Sequence, residues 1–403
     1  MPGPAKITAL FLCKPIPLAA PRNMREGRAM GTLVARTPHK RPKIATLELG
    51  RFIAAFYVVL AHLVPDVNSR AAPGALQIWH WIGVTDGAVT LEYFFALSGF
   101  VMACSHWQDF GTFGAPLRFW WKRIRRIFPM YWLGLLVPVY FLFGGLEPGY
   151  FIRVATLLPV NLNELIPPAW TLRFEMAFYF MFGLGMLPYV GKPILAIWVV
   201  ATLWHWWPAH ELAAMHLQQP AALAKWGGHA GLHFVDFLGI FFFWGMAAGY
   251  IFGRFTPGRR LALVLTLAGV TTIAVLHKYI SFGGPVQTIP MFVLIGFIIA
   301  TTMLGFASLE QHDMLRLPRI ALWLGIVSYP LYILHGSLLM VFWYFITFSH
   351  LSSAGVALLF LGLLIYLFTF ASLAAFFIDQ PLQRWMRRWG KAKPAMRAAQ
   401  NAA

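Results

Sequence analysis

Residues 45–64 read ATLELGRFIAAFYVVLAHLV, a run of twenty in which Arg51 and His62 interrupt mostly apolar sequence. About 20 mostly apolar residues wound as a helix cross a bilayer core of about 30 Å. Arg51 and His62 are eleven positions apart. At 100° per residue they fall within about 20° of one helix face and about 16 Å apart along it. Everything between them (FIAAFYVVLA) is apolar, so the spacing predicts one polar stripe facing a cavity. Counted from Ala45 at the inner end, His62 lies about 25 Å in, within the outer third of the core.

Similar runs occupy most of the chain: 88–106, 128–144, 169–190, 193–208, 232–253, 261–277, 286–306, 320–347 and 354–378. Of 403 residues, 59% are hydrophobic and 11% charged. Soluble globular proteins carry about 25% charged residues, so disorder, a disulfide scaffold and a soluble enzyme are excluded. The fold class expected is all-α, a polytopic transmembrane bundle of about ten spanning helices. Net charge is +18, but nucleic-acid binders do not hold long uncharged runs, and no nucleic acid is expected. Lys and Arg mark the cytoplasmic side. With the amino terminus inside, the inner segments hold nine (1–43), five (118–126), one (Lys192), three (254–260), two (316–319) and six (384–397), so 26 of the 32. Both termini are therefore expected inside, in a multi-pass protein of the bacterial inner membrane. Only short loops remain outside the bilayer, which leaves no room for a separate extracytoplasmic catalytic domain.

Residues 1–43 read as a disordered basic cytoplasmic arm, in which Met24 and Met30 offer later translation starts, and 381–403 as a basic cytoplasmic tail. Cys13 and Cys104 are too few for a disulfide framework and are read as packing residues. The loop 205–233 holds His205, His210, His216, His229 and His233 without paired ligand spacing, so no metal is expected.

Ionisable residues inside a bilayer are expensive and each suggests function. By the same depth count Glu92, Glu175, Asp236 and His335 join His62 in one outer layer, on the side away from Arg51. Asp236 or His335 alone reads equally well as a helix-packing hydrogen bond. A histidine with a carboxylate is the minimum set for proton abstraction. A proton-coupled transporter would use similar residues.

Six blocks then agree in order with a known family. LELGRFIAAFYVVLAH (47–62), with its Arg, ten residues and His, resembles the first span of the acyltransferase-3 family of integral membrane O-acyltransferases. LEYFFALSGFVM (91–102), RFWWKRIRRIFPMYW (118–132) with Arg123 and Arg126 in R-x-x-R spacing, and PAWTLRFEMAFYF (168–180) resemble its next blocks. VSYPLYILHGSLL (327–339) and IDQPLQRW (378–385) are similar to its last ones. The resemblance covers residues 44–388; Thr171 stands where Ser is commoner and Asp379 where Glu is. The wording is closest to members that acetylate exopolysaccharides.

The resemblance implies transfer of an acyl group, usually acetyl from acetyl-CoA, to a hydroxyl of a glycan or lipid-linked glycan. It carries the family's acidic residue onto Glu175 and its arginine pair onto Arg123 and Arg126. Guanidinium matches phosphate geometry, so Arg123 and Arg126 are the expected donor-binding residues, while Lys122 and Arg125 are read as fixing topology. His62 is the expected general base, or an acyl relay, with Glu175 orienting or charging it. Arg51 would stabilise the thioester oxygen or a phosphate, and Glu92 is a second carboxylate. No G-x-S-x-G elbow supports a serine nucleophile. The competing readings are a flippase or transporter of lipid-linked sugar, and an O-acyltransferase for a small secondary metabolite. Oligomeric state is not legible.

Overall fold

The computed structural model describes residues 44–75, 88–141, 147–158, 165–206, 233–280 and 289–389. The arm 1–43 with Cys13, most of the histidine-rich loop and the end of the tail lie outside them. Among the described residues the elements are α1 (Ala45–Asn68), α2 (Ala88–His106), α3 (Ala115–Phe141), α4 (Pro148–Ala155), α5 (Ala169–Gly185) and α6 (Gly191–Trp206). They continue with α7 (Leu238–Arg254), α8 (Arg259–Ile280), α9 (Ile289–Gln311), α10 (Arg319–Phe345), α11 (Ser353–Leu373) and α12 (Gln380–Trp389). A 3-10 turn (Trp107–Asp109) and a π turn (Ala374–Asp379) complete the list, with no strand. Every long helix falls on a predicted segment. Four are long and apolar enough to cross a membrane by length and composition: Ala45–Asn68, Pro290–Gln311, Arg319–Phe345 and the continuous Ser353–Arg388.

Helix ends and close contacts set the register. The first amides of α1 would be orphaned in an apolar setting. Glu310 at the end of α9 satisfies them, its carboxylate accepting from Ala45 N at 2.6 Å and from Thr46 N at 2.8 Å. Alpha-1 and α10 pack side by side in the same direction: Arg51 meets Ser328, His62 meets His335 and Asp66 meets Trp343. Alpha-2 and α7 are also parallel and touch backbone to backbone. A Cβ on Gly245 would stand 1.8 Å from the Ala96 carbonyl oxygen, and one on Gly249 would stand 2.2 Å from that of Phe100. Small residues permit such approach between helices in a membrane.

Two expectations about helix limits change. The apolar runs put the third span at 128–144 and leave 118–126 as a cytoplasmic segment. The helix instead starts at Ala115, directly after Gly114 in the left-handed region at φ +72°. The basic block is therefore helical, and its i, i+3 spacing puts Arg123 and Arg126 on one face. At the other end, the tenth span runs on without a break through the π turn into α12, so the first turns of the expected tail are helix.

Candidate active site

A cavity of about 100 Å³ lies among α1, α2, α3, α5 and α10. Arg51, Arg123, Arg126 and Glu175 line it, with Ser98, Thr171, Tyr179, Ser328, Tyr329 and Tyr332. Four of the six residues singled out from sequence thus meet in one place; His62 and Glu92 do not line it.

Glu175 corrects the depth estimate, which put it in an outer layer away from Arg51. That estimate took the start of α5 as the membrane face. Alpha-5 instead starts well inside the bundle: Ile166 is buried, and Pro167 packs so closely on Gly336 that a Cβ there would come within 2.9 Å. Alpha-10 continues past that level to Phe345. Glu175 therefore sits at the level of Arg51 and does not contact His62 directly. Its Oε1 accepts from Ser98 Oγ at 2.9 Å and from the Tyr179 hydroxyl. The sequence reading missed Ser98 and Tyr179; Tyr179 is four residues after Glu175, the spacing that stacks two side chains on one helix face.

Each guanidinium has its own surroundings. Arg51 donates to Glu48 Oε2 at 2.7 Å, to Ser328 Oγ at 2.8 Å and to the Gly325 carbonyl. Arg126 donates to Asp379 Oδ2 at 2.8 Å and lies over the Tyr329 ring. Arg123 is buried, lies over the Phe119 and Tyr179 rings, and forms no ion pair with a carboxylate among the described residues. Arg118, five residues nearer the start of α3, and Lys122, the residue before Arg123, are exposed. Arg387 of α12 stands near Arg125 and Arg126. A basic path therefore leads from the start of α3 to the cavity.

His62 is exposed, so the Arg51–His62 stripe does not open onto one cavity. Tyr332 separates the two ends: it lines the cavity, its hydroxyl meets Thr171 Oγ1 at 2.6 Å, and its backbone carbonyl lies 2.7 Å from His335 Nδ1. His62 Nδ1 lies 2.9 Å from the Val58 carbonyl and 3.3 Å from His335 Nε2. A carbonyl oxygen only accepts, so in neutral imidazoles both Nδ1 atoms carry the hydrogen. His335 Nε2 then presents a lone pair to His62, and His62 Nε2 presents its own lone pair outward.

Glu92 also departs from expectation. It is buried on the face of α2 that continues through Ala96 toward α7, and its Oε2 accepts no hydrogen bond from the described residues. Asp236 caps α7, accepting from Leu238 N at 2.9 Å. Cys104 is buried in the core of α2. Of the histidine loop, His210, His216 and His229 lie outside the described residues.

Comparison with known proteins decides the class of chemistry. The family profile described as an acyltransferase domain matches residues 44–377. The chain belongs to the acyltransferase-3 family. This acyltransferase is also similar to the exopolysaccharide production protein ExoZ of Rhizobium meliloti (strain 1021), with 27% identity over 273 residues that cover 62% of this chain and 76% of the relative. No solved structure matches it. The acyltransferase is a helical membrane enzyme, and family membership removes the main support for the transporter reading.

Proposed function

We propose that this acyltransferase moves an acetyl group from acetyl-CoA to a hydroxyl of exopolysaccharide in the bacterial inner membrane, with the basic start of α3 at the cytoplasmic face. The observation that carries the reading is the convergence of Arg51, Arg123, Arg126 and Glu175 on one small cavity, with His62 beyond it on the same helix as Arg51. At about 100 Å³ the cavity is smaller than the roughly 150 Å³ that takes up benzene. It suits the acyl-thioester end of the donor and not its nucleotide. The donor phosphates would stay on the basic path outside, where Arg118, Lys122 and Arg387 stand, and Arg123 is the best-placed guanidinium at the cavity, because Arg51 and Arg126 already hold carboxylates.

In this reading the acyl end of the donor reaches past Tyr332 from the cavity, and His62 Nε2 takes the proton of the acceptor hydroxyl as its oxygen attacks the acyl carbon. The carbon–sulfur bond breaks, and the CoA thiolate leaves toward the basic side. Arg51 and Arg123, at the cavity end of the site and about 16 Å along α1 from His62, would hold the donor in place and not the oxyanion that forms beside His62. Glu175, held by Ser98 and Tyr179, sets the charge of the cavity and does not orient His62 directly. An acyl-His62 relay is the variant in which donor and acceptor never meet. The acceptor class rests on the similarity to the exopolysaccharide production protein ExoZ.

The test is His62→Ala expressed in a strain from which the native gene has been deleted. The surface glycan should lose O-acetyl groups by mass spectrometry while the protein accumulates normally; retained acetylation would rule out the base and relay roles together. Arg123→Ala should separately lose thermal stabilisation by acetyl-CoA. If the exopolysaccharide is unchanged and a small metabolite loses its acetyl group, the acceptor class is wrong and the chemistry stands.

A further inference from the structure

His335 is fully buried, ten residues before the end of α10, and its two nitrogens are both engaged in a directional way. Nδ1 is fixed by the Tyr332 carbonyl at 2.7 Å, with the Leu331 carbonyl at 3.2 Å behind it. That leaves Nε2 as an acceptor aimed at His62 Nδ1, 3.3 Å away, with the rings 5.1 Å apart and tilted by 43°. We infer that His335 is a positioning residue for His62: it shares the Nδ1–H of His62 with the Val58 carbonyl, 2.9 Å away, and fixes the ring orientation that turns His62 Nε2 outward as a base. The inference rests on the base role proposed above.

The chemistry is that of a second group behind a working imidazole. An acceptor on Nδ1–H stabilises the imidazolium and so raises the basicity of Nε2. In a bilayer such support has to come from the protein, since water is absent to supply it. The other charged and titratable groups around the pair are already engaged or lie apart. On α1, Asp66 holds Arg70 at 2.9 Å and accepts from Trp343. On α2, Glu92 faces α7, and the Tyr93 hydroxyl lies against Gly50. Glu175 on α5 is beyond Tyr332, and Glu310 on α9 caps the opposite end of α1. Tyr366 on α11 donates to the Leu338 carbonyl at 3.2 Å. His335 is therefore the titratable side chain hydrogen-bonded to His62.

The experiment uses full-length protein in permeabilised membrane vesicles of the deletion strain, which contain the native acceptor. Labelled acetyl-CoA is supplied and label entering the glycan fraction is followed against pH. His335→Leu keeps the volume and removes the acceptor. It should lower kcat by about 10- to 100-fold, leave the KM for acetyl-CoA within about twofold, and move the acidic limb of the pH profile to lower pH, because a less basic His62 stays unprotonated further into acid. His335→Gln can accept from His62 through its amide oxygen and donate to the Tyr332 carbonyl, so it should recover most of the rate. Wild-type kcat in His335→Leu overturns the inference, as does a fall with the acidic limb unmoved. Equal impairment of His335→Gln in protein that accumulates normally does the same. His62→Ala run alongside separates the two claims: if it is inactive, the base reading survives these failures, and if it is active, the base reading itself falls.

Discussion

Gly245→Ala is the substitution whose sign the fold decides against intuition. In an exposed helix, replacing glycine by alanine stabilises by about 1 kcal/mol, because alanine loses less backbone entropy. Here the new Cβ would stand 1.8 Å from the Ala96 carbonyl oxygen and 2.8 Å from Ala96 Cα, where real Cβ contacts essentially never fall under 3.0 Å. Alpha-2 and α7 must therefore separate by about 1.2 Å, since both contacts are backbone. Overpacking of this kind costs about 1–3 kcal/mol, which outweighs the propensity gain. The displacement also reaches the cavity. Alpha-2 carries Ser98, which lies about 200° around the helix from Ala96 and donates to Glu175 at 2.9 Å, so moving α2 away from α7 pushes Ser98 onto Glu175 and displaces the carboxylate by about 1 Å. Misplacement by about 1 Å can cost on the order of 100-fold in rate. The expected outcome is a lower melting midpoint in detergent and acetyl transfer reduced at least about tenfold in the vesicle assay. Gly362→Ala is the matched control: it lies within α11, and a Cβ there meets nothing within 4 Å. It should be neutral or slightly stabilising, with full activity. If Gly245→Ala and Gly362→Ala behave alike, the backbone contact between α2 and α7 is not as close as argued, and the coupling of that contact to Glu175 fails with it.

Asp379→Asn leaves the half-buried Arg126 without its carboxylate, and breaking a buried pair from one side costs about 3–5 kcal/mol. The melting midpoint should fall, and Arg126→Gln with Asp379→Asn should melt higher than the sum of the two single variants; simple additivity would refute the pairing. Glu147 caps α4 by accepting from Gly149 N at 2.9 Å and Tyr150 N at 2.7 Å, and these donors hold its carboxyl below the ordinary carboxylate range. A depressed folded-state value means the cap contributes fully above the unfolded value and is lost as pH falls through the folded one. Hydrogen exchange across Phe151–Ala155, corrected for intrinsic rate, should therefore accelerate on acidification in the wild type and stay level in Glu147→Gln.

Helical segments were readable because apolar length and the scarcity of charge are local properties, and every long helix lies on a run chosen from sequence. The ends were less so: nothing in RFWWKRIRR distinguishes a basic loop from the basic first turns of a helix, and the choice rests on the Gly114 turn and on packing of Phe119 and Arg123 in the core. Tyr179 was within reach of an i, i+4 count from Glu175. His335 was visible as an intramembrane histidine, but its partner was not, because that contact depends on α1 and α10 running parallel in register.

Long apolar runs with few charges are enough to establish a helical membrane protein, and the ordered blocks from Arg51 to Asp379 are enough to point to its family. The sequence also singled out the costly polar residues, since a charge in an apolar run stands out wherever the helix lies. Tertiary structure alone decided which of them share a cavity. Depth and rotation of a helix are set by its neighbours, so Pro167 packed on Gly336 brings Glu175 down to Arg51, Tyr332 sets His62 apart with His335, and α7 draws Glu92 to the other side of α2.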